Sequence, residues 1–203
     1  MNDLSTHASL LSRVRNPEDH AAWRQFDRQY RDLILRYCRA RGLQQADSED
    51  VRQMVMINLA RHLKDFRYRP ELGRFRAYLQ RTVRNAIHRY FRSPNREILG
   101  LEQGEDLACN DQGIHDIDPL WESEWRQHHY RLAMAVVRRS TIEKGIDVFE
   151  ALLAGDSVAE VAKRFSMSAD AVQKVKQRVR NRLRVQIELQ VLQEDGYEHN
   201  ASA

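Results

Sequence analysis

The side chains best suited to chemistry are the arginines and aromatics between positions 61 and 92. This stretch has ten arginines or lysines against two acids, although the whole chain has a net charge of only +4. Cations interleaved with aromatic rings suit phosphate contact and stacking on unpaired bases. The pattern therefore predicts a surface for nucleic acid whose strands are separated. Its candidate residues are Arg67, Tyr68, Arg74, Arg76, Arg81, Arg84, Asn85 and His88.

The second half of this stretch has the apolar spacing of a helix. Apolar residues recur every three or four positions, as in a helix that packs one face on a core. They are Phe75, Leu79, Val83, Ala86, Ile87 and Tyr90. The opposite face is predicted to contain Arg81, Arg84, His88 and Arg92.

A second basic stretch follows a predicted pair of helices near the C-terminus. Residues 146–154 and 158–165 are predicted to be helical, with Ser157 as a cap and a turn at 166–168. The next helix, 169–184, has six cations and one acid. This order predicts a helix-turn-helix whose last helix enters the major groove, and the alternative is a solvated face of an ordinary helix. Ala162, Phe165, Met167 and Val172 are expected to pack the pair together.

The elements that position these surfaces are also predicted to be helices. Asn16 and Pro17 favour a helix start, and this helix should run to about Arg41 and end at Gly42. Its expected core stripe is Trp23, Phe26, Tyr30, Leu33, Ile34 and Tyr37. A further helix should begin a C-terminal unit with an inner stripe of Trp121, Trp125, His128 or His129, Leu132 and Val136. The histidine pair is expected to belong to the helix surface rather than to a metal site.

Between these elements lies a helix with an acidic start. Asp47 or Ser48 is expected to cap it, and Val51, Val55, Leu59, Leu63 and Phe66 form its inner stripe. One interpretation is that the acids of its outer side only compensate the helix dipole. Alternatively, with Met54, Met56 and Ile57 they form an anionic and apolar face for a partner helix that presents arginines.

Two motifs here resemble the extracytoplasmic-function (group 4) branch of the bacterial sigma-70 family, the small sigma subunits of RNA polymerase. One is D-x-E-D-x-x-Q, formed by Asp47, Glu49, Asp50 and Gln53. The other is FRYRPELGRFRAYL, residues 66–79, which resembles the promoter-melting loop and helix. Met54 stands where many members have glutamate, and Tyr78 where most have tryptophan. The resemblance covers about residues 8 to 188.

The resemblance implies an all-α protein of two helical domains joined by an acidic flexible linker. It implies sigma region two at 1–93, for core binding, minus-10 recognition and melting, and the linker at 94–118. Region four would occupy 119–189 and recognise the minus-35 element, and 190–203 would be a flexible tail. The acids of the linker alternatively serve only solubility.

The same resemblance assigns partners and site residues. Asp47, Glu49, Asp50, Gln53 and Ile57 would dock on the clamp helices of the largest polymerase subunit, and region four would meet the flap of the second largest. At minus-10, the residues that contact promoter DNA would be Arg67, Tyr68, Arg74, Arg76, Arg81, Arg84, Asn85 and His88. At minus-35, the base-reading residues would be Gln173, Lys174, Gln177 and Arg178, with Arg180 and Arg182 nearer phosphates.

Other function classes find little support. No HExxH, P-loop or GxSxG motif occurs, so we expect neither an enzyme nor a metal or other cofactor. Cys38 and Cys109 are far apart and suggest free thiols in a reducing compartment. No apolar run approaches membrane-spanning length, and a cytoplasmic protein is expected.

Two questions stay open at the level of sequence. The main alternative function is a free-standing helix-turn-helix regulator whose N-terminal domain dimerises. The sequence also leaves open control by an anti-sigma factor, by a protein kinase or by expression level. Because Met54 removes one acid from the docking motif, phosphorylation of Ser48 is a hypothetical way to restore negative charge there.

Overall fold

A computed structural model describes residues 10–63, 75–92 and 118–194. In these ranges the chain forms eight α-helices and no strand, which confirms the all-α prediction. None of these helices combines the length and apolar character needed to cross a membrane. The helices are α1 (Leu10–Arg13), α2 (His20–Ala40), α3 (Gln45–His62), α4 (Phe75–Arg92), α5 (Pro119–Ser140), α6 (Glu143–Leu153), α7 (Val158–Arg164) and α8 (Ala169–Glu194).

The chain divides into two compact units. The first contains residues 1–125 and 193–203, and the second contains residues 126–192. The described part of the first unit therefore includes α1 to α4, the beginning of α5 and the last residues of α8. These boundaries differ from the predicted domains, which assigned all of α5 to the C-terminal one.

The start of α2 lies three residues later than predicted. Asp19, not Asn16, caps this helix, because its carboxylate accepts a hydrogen bond from the backbone N–H of Ala22 at 2.9 Å. Arg13 of α1 donates to the same carboxylate, and these bonds lower the pKa of Asp19. The helix ends at the predicted place, where Gly42 has φ +91°.

Aromatic rings form the centre of the first unit. Phe26 and Tyr30 of α2 lie 4.6 Å apart between ring centroids, and the ring of Phe75 in α4 lies 6.0 and 5.6 Å from them. All three side chains are fully buried. The predicted inner stripe of α4 is buried in full, and so are Val51, Val55 and Leu59 of α3 and Leu63, which follows it. The helical spacing in the sequence therefore identified this core correctly.

Two tryptophans of α5 complete this core, which the sequence analysis did not foresee. Trp121 and Trp125 have 0% and 5% of their surfaces exposed, and both belong to the cluster around Phe26 and Tyr30. The apolar spacing correctly placed them on one face of a helix. It assigned them to the wrong unit, because periodicity identifies a buried face but not its partner.

The predicted flexible tail was wrong for residues 190–194. These residues continue α8, and Glu194 is 6% exposed. Its Oε1 accepts a hydrogen bond from the Tyr30 hydroxyl at 2.7 Å. Residues 195–203 lie outside the described part of the chain. Burial of a carboxylate here depends on a partner that is 164 positions away in sequence.

The second unit has the predicted order of caps and helices. Ser157 accepts from the N–H of Glu160, whose carboxylate accepts from the N–H of Ser157, a reciprocal capping box. Residues 165–168 then connect α7 to α8, and Ser168 accepts from the N–H of Ala171. Val172 is buried against Val148, Ala151 and Val161, with Ala162, Phe165 and Met167 packed around them, as expected.

Two details of α5 in the second unit correct the predictions. His128 and His129 are 3% and 2% exposed, so neither is a surface residue. Val136 is 41% exposed, whereas Ala133 and Val137 are buried. The inward face of α5 is therefore rotated from the predicted stripe in its second half. In the described ranges, no three His, Cys, Asp or Glu side chains are arranged to hold a metal ion.

The tryptophans provide a test of this fold. Trp121→Ala should lower the free energy of unfolding by about 3 kcal/mol or more, since it leaves a cavity among buried rings. Phe91→Ala is the control, because Phe91 is 62% exposed in the same unit and should change stability by less than about 0.5 kcal/mol. Urea unfolding followed by near-ultraviolet circular dichroism measures both, and equal effects would refute the packing described here.

Candidate partner and nucleic-acid surfaces

The outer face of α3 presents three of the five predicted docking residues. Asp50 and Gln53 are exposed, and Ile57 is 43% exposed. Because they are spaced by three and four residues, they lie along one side of the helix. An acid, an amide and an exposed branched apolar side chain together suit a partner that is both cationic and apolar. We call these three residues the α3 face.

The other two predicted docking residues make bonds within the first unit. Asp47 Oδ1 accepts from the hydroxyl of Tyr90 on α4 at 2.5 Å, and both groups are partly buried. Glu49 lies between Arg31 of α2, at 2.5 Å, and Arg52, at 2.7 Å. The structure thus separates the acidic motif into residues that join helices and residues that face outwards.

Glu49 belongs to a four-residue ionic network between α2 and α3. Arg52 bridges the carboxylates of Glu49 and Asp27, and Arg31 binds the other oxygen of Glu49. Hydrogen bonds from Arg31 and Arg52 lower the pKa of Glu49. Its negative charge is therefore already met by two guanidinium groups.

The hypotheses about Ser48 and Met54 meet physical obstacles. Ser48 is fully buried, and its hydroxyl donates to the carbonyl of Gln44 at 2.7 Å, so a kinase cannot reach it. Neither Ser48 nor Asp47 caps α3, because the helix already begins at Gln45 after Gln44. Met54 is partly buried and packs against the core. A glutamate at position 54 would therefore not be a simple surface charge.

The basic side of α4 is opposite its buried stripe, as predicted. Arg84 and His88 are exposed, and Arg81 and Asn85 are half-buried on the same side. Arg92 continues this side at the end of the helix and is exposed. We call these five residues the α4 face. Arg67, Tyr68 and Arg74 lie outside the described residues.

Phe91 is a candidate contact that the sequence analysis missed. Its side chain is 62% exposed, and its ring lies 5.9 Å from that of Tyr90. It lies seven residues after Arg84 and three after His88, so it borders the α4 face. An exposed ring beside cations suits the stacking of an unpaired base. Its position off the apolar stripe was a visible signal, since the stripe ends at Tyr90.

Arg76 differs from the other predicted DNA contacts on α4. It is half-buried, and its Nη1 lies 3.0 Å from the carboxylate of Glu122 on α5. The side chains are 24% and 28% exposed, respectively. The charge of Arg76 is thus neutralised within the first unit.

The start of α8 presents the four predicted base-reading residues on one exposed face. Gln173, Lys174, Gln177 and Arg178 are all exposed. They form two adjacent pairs that are four residues apart and therefore lie on one side of the helix. Nε2 of Gln177 donates to Oδ1 of Asn181 at 3.0 Å, one turn further along. The buried side of the helix contains Val172, Val179 and Leu183.

The two arginines predicted to contact phosphates have different environments. Arg182 Nη1 donates to the carbonyl of Ser140 at 3.0 Å and to the hydroxyl of Thr141 at 2.8 Å. It therefore joins α8 to the end of α5. Arg180 is exposed and borders an open cavity of about 620 Å³ lined by Tyr130, Phe149, Leu153 and Ile187, among others.

The network around Glu49 gives a prediction about pH. A carboxylate with a lowered pKa stabilises the folded state above its unfolded pKa, and this contribution is lost as the pH falls through the folded value. Arg52→Gln should therefore cost about 1 kcal/mol near neutral pH, and the difference from wild type should shrink below about pH 4.5. It should also raise the pKa of Glu49.

Carboxyl-carbon NMR titration and urea unfolding at several pH values test this prediction. Arg61→Gln is a matched control, because Arg61 is an exposed arginine of the same helix. An unchanged Glu49 titration in Arg52→Gln would show that the network contributes nothing.

Comparison with known proteins finds one similarity, which lies in the first unit. Residues 26–97 match the family model Sigma-70 region 2. This range includes most of α2 and all of α3 and α4, hence both the α3 face and the α4 face. No curated protein and no solved structure matches the chain. The part of the chain that contains α3 and α4 is therefore similar to region 2 of sigma-70 proteins.

Proposed function

We propose that this chain is an extracytoplasmic-function sigma factor, which directs core RNA polymerase to one promoter class and assists DNA opening. The observation that carries the proposal is the match of residues 26–97 to region 2, within which α3 and α4 present separate outward faces. One face is acidic and apolar, and the other is basic with an exposed aromatic ring. A sigma factor requires two such surfaces, one for polymerase and one for promoter DNA.

The α3 face is the proposed docking site for the polymerase clamp helices. Its apolar residue, Ile57, is exposed beside Asp50 and Gln53, the combination that an arginine-bearing helix would bury. The ionic network of Glu49 has a different task in this proposal. It fixes α3 against α2 and so keeps the α3 face rigid.

The α4 face is the proposed contact for the opened minus-10 element. Its cations lie where they can follow a phosphate backbone, and Phe91 offers a surface for stacking. The helix is held from behind by six buried apolar side chains, so within the described residues its basic side faces outwards.

In the second unit, α7, the four-residue turn and α8 are the proposed helix-turn-helix for the minus-35 element. The exposed residues at the start of α8 include two glutamines, which suit adenine, and Lys174 and Arg178, which suit guanine. The capping of both helices and the buried contacts of Val172 support a fixed angle between them. Arg182 supports this arrangement from within the unit rather than by contact with phosphates.

The central test is binding to core polymerase. The wild-type chain should bind purified core and should select a promoter only as the complex, whereas a free-standing regulator would bind duplex DNA alone as a dimer. Asp50→Lys should weaken core binding about tenfold or more, because it places a cation opposite the proposed arginines.

Asp147→Lys provides the matched control for this experiment. Asp147 is an exposed acid of α6, and the substitution changes the net charge by the same amount. The dissociation constants can be measured by surface plasmon resonance with immobilised core. Equal affinities for the two variants would remove the α3 face from the interface.

A second test distinguishes a residue of α8 that reads a base from one that stabilises the second unit. Arg178→Ala should lower upstream-element preference by about 1 to 3 kcal/mol at one base pair, because a bidentate contact to a base edge is lost. Arg182→Ala should leave that preference intact and instead lower the stability of the second unit. Transcription from a library of upstream variants, together with thermal unfolding, distinguishes the two. A uniform loss across all variants for Arg178→Ala would mean that this residue contacts phosphate.

A further inference from the structure

The amide of Gln177, one of the base-reading candidates, is held by a neighbouring side chain of α8. Its Nε2 donates a hydrogen bond to Oδ1 of Asn181 at 3.0 Å. The two residues are four positions apart, so their side chains project from one side of the helix on successive turns. Both side chains are exposed. Gln177 therefore has a partner within the chain before it meets any DNA.

The backbone beneath this pair is fixed within the second unit. Val179 and Leu183, on the opposite side of α8, are 1% and 5% exposed. Arg182 on the same turn donates to the carbonyl of Ser140 and to the hydroxyl of Thr141, which join this part of α8 to the end of α5. The two amides therefore project from a stretch of helix that is held by packing and by hydrogen bonds.

The hydrogen bond leaves the groups of Gln177 that an adenine requires. A glutamine amide has one carbonyl oxygen and two N–H donors, and Asn181 uses one of these donors. The oxygen and the second N–H remain, and they match the N6 amino group and N7 of adenine in a bidentate contact. If the amide of Gln177 were turned over, its oxygen would face Oδ1 of Asn181. The bond therefore favours one orientation of the Gln177 amide.

The other base-reading glutamine lacks such a partner. Gln173 lies one turn before Gln177 and is also exposed. Within the described residues its side chain makes no hydrogen bond. Its rotamers must therefore be ordered when it binds a base, which costs conformational freedom. The two glutamines thus provide a comparison within one helix, because only Gln177 is oriented in advance.

We propose that Asn181 is a positioning residue, which orients the amide of Gln177 and so sharpens the preference for one base pair of the upstream element. This inference rests on the proposed function, since it assumes that the start of α8 reads minus-35 DNA in the major groove. Asn181 reads no base in this role. It acts through Gln177, because it reduces the freedom that this side chain loses on binding.

The test measures transcription by core polymerase with the full chain from a library of upstream variants. Gln177→Ala and Gln173→Ala first identify the base pair at which each glutamine sets a preference. Asn181→Leu, which removes the amide at similar size, should lower the preference at the Gln177 base pair about two- to fivefold. The preference at the Gln173 base pair should stay unchanged. No loss at the Gln177 base pair, or an equal loss at both, would overturn the proposal.

Two further variants make the result specific. Asn181→Asp keeps the acceptor oxygen and should keep the Gln177 preference, although its negative charge should weaken binding to all upstream variants alike. Asn181→Leu combined with Gln177→Ala should lose no more preference than Gln177→Ala alone, because the side chain to be oriented is absent. A preference that falls as far in Asn181→Asp as in Asn181→Leu, or losses that add in the double variant, would refute the proposal.

A direct measurement follows the Gln177 side chain in the free protein. The NMR order parameter of its Nε2 group, from nitrogen-15 relaxation, should fall in Asn181→Leu and be retained in Asn181→Asp. Thermal unfolding of Asn181→Leu should match that of the wild type, since Asn181 is exposed. An unchanged order parameter would contradict the orienting bond, and a lowered unfolding midpoint would make Asn181 a structural residue instead.

A parallel measurement separates this inference from the proposed function. Core binding and promoter selection of the wild type are recorded with the variants. If the wild type selects an upstream element and Asn181→Leu keeps its full preference, the positioning role fails while the sigma factor role stands. A wild type that neither binds core nor selects a promoter would refute the proposed function, and this inference with it.

Discussion

The packing of aromatic rings between α2, α4 and α5 is the constraint on which the first unit depends. Phe26, Tyr30, Phe75 and Trp125 come from three helices, and each is buried by the other rings. Because Phe75 is the first residue of α4, this contact sets the direction in which that helix leaves the core. The basic side of α4 then faces outwards as a geometric consequence. Large rings also bury much apolar area per residue, so a small unit gains a stable centre from few side chains.

Charge in this protein has two separate uses that composition alone cannot distinguish. On α3, Glu49 is paired with arginines, whereas Asp50, the next residue, is exposed. On α8, Arg182 donates to Ser140 and Thr141, whereas Arg178 is exposed. Neighbouring residues of the same type therefore serve either the fold or a partner. The direction in which a side chain points from the helix axis decides whether it serves the fold or a partner. Residues adjacent in sequence point in directions about 100° apart.

The sequence predicted those features that depend on local periodicity and capping. The buried stripe of α4, the cap at Ser157 and the turn before α8 all follow from short-range patterns. Even the burial of Ser48 was accessible, since it lies three residues before Val51 on the same face. The contacts of Trp121, Glu122 and Glu194 were not accessible, because each depends on a partner far away along the chain. Phe91 directly follows the buried Tyr90, and the type of an apolar residue next to the stripe does not show whether it is exposed.

The packing of Trp121 and Trp125 in the first unit changes the role of the covalent connection that precedes them. Arg92 and Asp118 both belong to the first unit, so the acidic segment 93–117 joins two points of one unit rather than two units. Its length is then a matter of loop closure, in which even a doubling costs only about 0.6 kcal/mol. Evolution can lengthen, shorten or recompose this segment with little effect on the surrounding helices. A protease cut within it would likewise leave two fragments that remain associated through the tryptophans.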